Sequence, residues 1–445
     1  MKKKNIIRIL SLLMAVMLMT ACKSGDSFGL GGDDDQDCYL TIYVYTPGNP
    51  IPTRSDEDYK AATDAEKTIH TLQLWVFKHT DGSDDGELVG YMDDGMDGTD
   101  VDLTSGKVYQ VVVSRNFADN PTSVDVYAVA NVADANAGHT FTRRTTRAQL
   151  DAATLRGDCF GVSTLVQSVP ADGLPMSGVL KDQKVVGTYP ALRIVDKDDA
   201  TEKMANVNLV RTVSKIRFVI CRSDGTQLNE QLDEITSIKL DAGLIPQQSY
   251  LMLNEPYNNS LELTNTLADS RIRIVPGAYE SAVSFGSVKA VGTDGTTVII
   301  PVRADDPATT TYKESAKDWL FDALNPDGTS RYAAPADPNT PVWSVYAQAI
   351  EDGITNNELY PYGLTYLRES DKILSGTVTY TTKDPNDTER TTTFEMTNEG
   401  DFARNHTWTV MLLFEGGKLR IVNVVDVGVR SWNTMSETDH DVFNW

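Results

Sequence analysis

Cys38-Tyr39-Leu40-Thr41-Ile42-Tyr43-Val44-Tyr45 is the stretch whose reading decides the fold. Cys38, Leu40, Ile42 and Val44 alternate with Tyr39, Thr41, Tyr43 and Tyr45. A period of two puts the first set on one face and the second on the other, which predicts a strand. The pattern ends at Pro47-Gly48-Asn49-Pro50-Ile51-Pro52-Thr53, where prolines remove ladder donors. Arg54 follows, then a polar run from Ser55 to Lys67. Exposed, poorly ordered segments of this composition are where proteases cut.

The same β signal continues along the chain. Ile69–Phe77 reads as a strand with a break of phase near Thr71, and Val108–Val113 and Val124–Asn131 are further apolar or alternating runs. Further strands are expected at 207–209, 214–220, 235–240, 249–253, 271–274, 296–302, 377–381, 391–396, 408–414 and 419–429. Gly/Asp/Asn clusters between them read as loops. Arg147 to Leu155 suits a short helix, and 305–340 is loop-like with a helical turn at 317–324. Many short strands spaced by turn residues point to an all-β protein built from sandwiches. No repeat of 20–50 residues is evident, which argues against a solenoid or propeller.

Working back from Cys38, an Asp-rich linker covers Lys23 to Asp37. Before it lie basic Lys2, Lys3, Lys4 and Arg8, an apolar run from Ile9 to Met19, and Leu18-Met19-Thr20-Ala21-Cys22. A short apolar run behind basic residues reads as a secretion signal. Its end resembles the lipobox of bacterial lipoprotein precursors, with Met19 where Leu is usual. Cys22 is thus expected to carry lipid, each buried CH₂ contributing roughly 0.8 kcal/mol of anchoring.

The chain has 445 residues and a formal net charge of −23. Residues 1–54 hold six Lys/Arg and five Asp/Glu, so the remainder carries 34 basic against 58 acidic residues, a net of −24. Phosphate backbones would repel it, and nucleic-acid binding is disfavoured. With Cys22 set aside, Cys38, Cys159 and Cys221 are an odd number and argue against a disulfide framework.

Catalytic patterns are missing. The five histidines, His70, His79, His139, His406 and His440, are scattered, and no H-E-x-x-H, P-loop, G-x-S-x-G or dinucleotide fingerprint occurs. Asp93-Asp94-Gly95-Met96-Asp97-Gly98-Thr99-Asp100 has the ligand density of a calcium loop without an EF-hand's closing Glu, and is expected to be a solvated hairpin loop. His70 and His406 are expected to be strand residues engaged in packing. No enzyme activity, metal or cofactor is expected, the lipid apart.

The order of these features resembles the fimbrillin family, the type V pilins of Bacteroidetes. It comprises the lipobox at Cys22, one strand and then an arginine, and E-K-x-I-x-x-L-x-L-x-V-F from Glu66 to Phe77. Ala130-Asn131, L-P-M-S-G from Leu174 to Gly178 and N-L-V-R-T-V-S-K-I from Asn208 to Ile216 follow. R-N-H-x-W-x-V from Arg404 to Val410, V-R-S-W from Val429 to Trp432 and Trp445 complete it. The resemblance spans nearly the whole chain. It implies two tandem antiparallel transthyretin-like β-sandwiches, residues 55–212 and 213–445, behind a signal peptide (1–21) and a propeptide (22–54). It also implies an outer-membrane lipoprotein precursor cut between Arg54 and Ser55, then an extracellular pilus subunit that polymerises by strand exchange and supports adhesion.

The residues are consistent with that scheme. Loss of 38–45 would bare strand edges and an apolar groove, a template for another chain. The segment 419–432 is the candidate donor strand, with Leu419, Ile421, Val425, Val427 and Val429 on one face, interrupted by Asn423, and Trp432 at its end. From the residues alone the tail reads rather as a strand of its own sandwich; it is the resemblance that favours donation. The expected partners are other pilin subunits, the outer membrane through lipid, and host or bacterial surface ligands. The alternatives are a tip or accessory adhesin and a surface glycan-binding lipoprotein, for which Trp319 and Trp343 would be the platform.

Overall fold

A computed structural model describes residues 38–45, 64–81, 86–103, 106–132, 140–155, 169–197, 201–222, 232–257, 272–285, 288–289, 304–306, 311–312, 360–382, 386, 388–395, 402–415 and 418–428. The protein is all-β. Its strands are β1 (Cys38–Tyr45), β2 (Leu72–Lys78), β3 (Leu88–Asp94), β4 (Lys107–Val113), β5 (Val124–Ala130), β6 (Thr154–Leu155), β7 (Met176–Thr188), β8 (Ala191–Val195), β9 (Asn206–Asn208), β10 (Val210–Arg211) and β11 (Val213–Arg222). They continue as β12 (Leu232–Leu240), β13 (Ser249–Tyr250), β14 (Val283–Phe285), β15 (Val288–Lys289), β16 (Ala304–Asp306), β17 (Thr311–Tyr312), β18 (Tyr360–Arg368), β19 (Ser375–Thr382), β20 (Arg390–Glu395), β21 (His406–Glu415) and β22 (Lys418–Gly428). The described helices are short: α1 (Asp64–Lys67), α2 (Arg115–Asp119) and α3 (Arg147–Ala152).

In the first half, the hydrogen-bonded order β7-β5-β2-β3-β4-β1-β8 returns to β7, because β8 also pairs with β7. A sheet closed on itself leaves no long free edge. Its apolar interior gathers Leu40, Ile42, Val44, Leu72, Leu74, Val76, Val111, Val126, Leu192 and Val207. β2 shows why its alternation is hard to read in sequence: Leu72 through Phe77 are all buried. Leu72, Leu74 and Val76 fill the interior. Trp75 and Phe77 face outward into a second cluster with Tyr127, Leu150, Leu155, Leu251 and Met252. That cover includes α3, which starts at a capping box: Gln149 N–H donates to Thr146 Oγ1 at 3.2 Å, and Thr146 N–H donates to Gln149 Oε1 at 2.9 Å.

In the second half, one sheet runs β18-β11-β21-β22 and another β14-β12-β19-β20, with β15 also on β12. Ile216, Phe218, Trp408 and Val410 from the first meet Ile238, Val378, Tyr380 and Phe394 from the second in one core. The two halves are stitched together where β6 pairs antiparallel with β13.

Several expected elements differ. The expected strand at 249–253 is β13 only as far as Tyr250. Beyond it Leu251 N–H donates to Ala153 O at 2.8 Å, so Leu251 and Met252 cover the first sheet instead of extending a strand. At 271–274 the described residues hold an isolated bridge, Ser249 to Ile274. His70 lies in a bend before β2, while His406 opens β21 as expected. Asp93 and Asp94 end β3, and the following Gly95 and Gly98 turn with φ of 77° and 84°. The strand at 296–302, the turn at 317–324, Cys159, Trp319 and Trp343 lie outside the described residues.

A charged cluster sits where β5 meets β7. Asp125 is fully buried and pairs with Arg147 Nη1 at 2.8 Å. Its Oδ1 lies 2.8 Å from His79 Nδ1 and accepts the Asp182 N–H at 2.8 Å. Burial alone pulls the His79 pKa down, but the hydrogen bond and charge of Asp125, with Asp81 and Asp182, raise it overall. A pKa raised in the folded state means that protonated His79 stabilises the fold below its ordinary value of about 6.5. The contribution is lost as pH rises through the raised value. His79→Gln is therefore expected to lower the melting temperature at pH 6 by more than at pH 8. A pH-independent difference would show that Asp125 does not hold the imidazolium.

Candidate functional site

β1 is not an edge strand. It runs antiparallel to β4, Cys38 opposite Val113 through to Val44 opposite Lys107. On its other side it runs parallel to β8 (Tyr39 to Thr41 opposite Ala191 to Arg193) and then to β9 (Tyr43 to Tyr45 opposite Asn206 to Asn208). The sequence alternation is reproduced in burial: Cys38 is 2% exposed and Leu40, Ile42 and Val44 are 0% exposed, while Tyr39, Thr41 and Tyr43 are half-buried. Burying Leu, Ile and Val side chains at roughly 1.5–3 kcal/mol each makes the three worth about 4.5–9 kcal/mol. Tyr43 leans over Gly106, whose φ of 72° and missing Cβ admit the ring; a Cβ there would overlap the hydroxyl.

The wall beside β1 leads directly into a polar junction between the halves. Gly178 lets β7 approach the backbone of Asn208, since a Cβ at this position would overlap the Asn208 carbonyl. Arg211 is buried; its Nε donates to Glu66 O at 2.9 Å and its Nη1 to Asn405 Oδ1 at 2.8 Å. The Glu66 carboxylate, 3% exposed, takes Lys215 Nζ at 3.1 Å and the Tyr366 hydroxyl at 2.5 Å. Burial, then the Glu66 charge, raise the Tyr366 pKa, so the phenol stays a donor. Burial pulls the Arg211 pKa down, opposed by the Glu66 charge.

Asn131, with φ of 56°, accepts the His70 N–H at 2.7 Å and donates to Thr68 O at 2.9 Å and Leu174 O at 3.1 Å. Thr212 N–H and Oγ1 both bond Pro175 O at 3.0 Å. Arg404 grips Glu369, both 0% exposed, through Nε to Oε2 at 2.7 Å and Nη2 to Oε1 at 2.5 Å. The separate sequence motifs around Glu66, Asn131, Leu174–Gly178, Asn208–Ile216 and Arg404–Val410 therefore converge on one junction. Their charged residues pair with one another there, as buried charges require, while Arg211 Nη2 and Asn405 Nδ2 are buried with no hydrogen-bond partner among the described residues.

The candidate donor segment is divided by the structure. Leu419 is 2% exposed in the second core and its N–H donates to Tyr380 OH at 3.1 Å. Ile421, Val425 and Val427 lie in β22, opposite Leu412, Thr409 and Thr407 of β21. In the single chain this segment is thus the end strand of its own sheet. Val429 and Trp432 lie outside the described residues, as do Cys22, Arg54 and Ser55. Deleting everything from Leu419 would strip β22 from β21 as well as removing a donor, so it does not isolate donation.

What sequence reading missed is the ring around β1. β7 and β8 were not anticipated, although Ala191–Val195 alternates with Leu192 and Ile194 inward, a short signal hidden beside Pro190. The Glu66–Lys215–Tyr366 cluster was also unforeseen. Its trace is Lys215 and Arg217, which alternate with the core residues Ile216, Phe218 and Ile220 and lie on the other face of β11, each buried nonetheless.

A closed sheet that includes the first described strand, beside a buried ionic junction, is what the described residues of this all-β chain define. No family model matches the chain, and no curated protein matches it. Solved structures of Bacteroidetes fimbrial proteins, the class that the ordered motifs resemble, are similar to it. One is the tip fimbrial protein Mfa3 of Porphyromonas gingivalis with C-terminal truncation, at 14% identity and a TM-score of 0.42, covering 88% of this chain and 100% of that one. The fimbrilin FimA of Porphyromonas gingivalis W83 has 11% identity and a TM-score of 0.39, covering 89% and 99%. A fimbrial assembly protein of Parabacteroides distasonis has 12% identity and a TM-score of 0.38, covering 87% and 94%.

Proposed function

We propose that this chain is a structural subunit of a cell-surface pilus, supporting adhesion, that opens its own acceptor groove by losing β1. The single observation that carries the reading is that the residues before Arg54 supply an interior strand, paired on both sides and fully buried on one face. A cut after Arg54 leaves Cys22–Arg54 attached only by non-covalent contacts. Its departure would unpair the facing groups of β4, β8 and β9 and bare the apolar interior. Groups left unpaired and shielded from water cost about 1–3 kcal/mol each. The vacated site then favours an equivalent strand running antiparallel to β4. A C-terminal strand of a neighbour, within 419–432, is the donor in this reading. One strand given and one received per subunit is a heterologous contact that does not close, and so makes a filament.

The same proposal includes export as a lipoprotein anchored at Cys22 in the outer membrane. It also includes two tandem transthyretin-like domains meeting near Thr212, and a role that is structural rather than catalytic. Arg54→Ala is expected to leave the fold intact, retain residues 22–54 on the cell, and abolish heat-stable ladders on gels and filaments in electron micrographs. Normal filaments from the variant, with 22–54 still attached, would overturn the mechanism.

A further inference from the structure

Resting on that maturation reading, we infer that Glu66 is the stop that confines the opening of the chain to β1. Once the chain is cut at Arg54, the segment leading into β2 becomes a free N-terminal end. A free end frays until it meets an anchor whose release costs more than the fraying gains. The first described residues after the cut are α1, and Glu66 within it is the first of them whose side chain is fastened deep in the protein.

Its carboxylate takes Lys215 Nζ from β11 and the Tyr366 hydroxyl from β18, while its carbonyl takes Arg211 Nε. All of these partners are buried and belong to elements far along the chain, so they stay in place when residues before Arg54 leave. Releasing Glu66 to solvent would break this ion pair and leave the Lys215 ammonium in its buried site without the Glu66 carboxylate, an unfavourable state. Behind it, Asn131 holds Thr68 O and His70 N–H, and Val101 N–H donates to Ile69 O at 2.7 Å. This second line keeps β2 aligned on β5. The arrangement gives a physical reason for the E-K-x-I and S-K-I motifs occurring in one chain: Glu66 of the first pairs with Lys215 of the second.

The consequence is directional. A groove acceptor must lose one strand without loosening the strands beside it, and β2 follows the cut by the 17 residues 55–71. Glu66 separates the part that leaves from the part that stays. Lys67, half-buried and next to it, reports whether the stop holds.

The test uses the full chain with a sequence-specific protease site inserted after Arg54 and with Lys60→Gln, so that Lys67 is the first lysine after the cut, with Glu66 intact (termed wild type) and as Glu66→Gln. After the cut, a lysine-specific protease is added briefly and N-terminal masses are read. The wild type is expected to resist cleavage after Lys67, while Glu66→Gln yields a chain beginning at Thr68 about tenfold faster. The uncut Glu66→Gln chain is expected to resist as the wild type does, because both ends of the segment are still held. Should Glu66→Gln fold poorly, Tyr366→Phe, which removes the hydroxyl that donates to Glu66, is expected to shift the rate the same way by about threefold. Equal trimming of cut wild type and variants, or ready cleavage of the cut wild type after Lys67, would overturn the inference. The mass of residues 22–54 is followed in parallel. Its retention on the cut chain counts against strand release, while the comparison at Lys67 still decides for or against Glu66.

Discussion

Ile42→Asp is expected to cripple the uncut precursor and to leave the matured chain untouched. Ile42 is 0% exposed and its side chain lies in the interior of the closed sheet with Leu40 and Val44. Truncating a buried isoleucine costs about 2–5 kcal/mol, and burying an unpaired carboxylate in its place costs several more. Against a total stability on the order of 5–15 kcal/mol, the uncut variant should be largely unfolded or should hold β1 out of its groove. The matured chain begins at Ser55 in the proposed scheme, so the substitution leaves with the propeptide. Thr41→Asp, one residue away on the half-buried face, is the control and is expected to cost about 1 kcal/mol or less. Denaturant unfolding of uncut and cut chains measures both. An uncut Ile42→Asp protein as stable as wild type would mean that β1 does not occupy the interior in solution.

Arg404→Ala is expected to produce a comparable loss in both forms of the chain. The guanidinium holds both oxygens of Glu369 and also donates to Leu251 O at 2.8 Å and Tyr250 O at 2.7 Å. Glu369 Oε1 accepts the Arg273 N–H at 2.9 Å as well. These bonds tie β13 and the residues that cover Trp75 and Tyr127 to the root of β21. Removing one partner of a buried ion pair strands the other and costs about 3–5 kcal/mol. For domains of this size that corresponds to a fall in melting temperature on the order of 10 °C. Replacing both Arg404 and Glu369 by methionine should recover much of the loss, because no charge is then left unpaired. A double variant as unstable as Arg404→Ala would show that the backbone carbonyls of Tyr250 and Leu251, rather than Glu369, carry the effect.

The contrast between β1 and β2 shows how far sequence reaches. The chemistry of 38–45 by itself determined a strand, its boundaries and its buried face, because its alternation is undisturbed and prolines end it. β2 also alternates its interior residues Leu72, Leu74 and Val76 but hides its faces, because Trp75 and Phe77 are covered by α3 and by Leu251 and Met252, residues brought from far along the chain. Local pattern registers which residues avoid water. It cannot register which distant element shields a second face.

The sequence by itself thus determined the all-β class, the strand before Arg54, and the ordered motifs with their charged residues. Only the tertiary structure decided that this strand is interior rather than at an edge, and that β8 and β9 flank it in parallel. It alone decided that Glu66, Arg211, Lys215, Tyr366 and Asn405 meet, and that β22 lies on its own β21 in the single chain. The physical reason is common to all of these. Strand pairing and buried ion pairs join residues up to 300 positions apart, and such contacts are selected by the closing of the whole sheet and its core, not by any pattern within one segment.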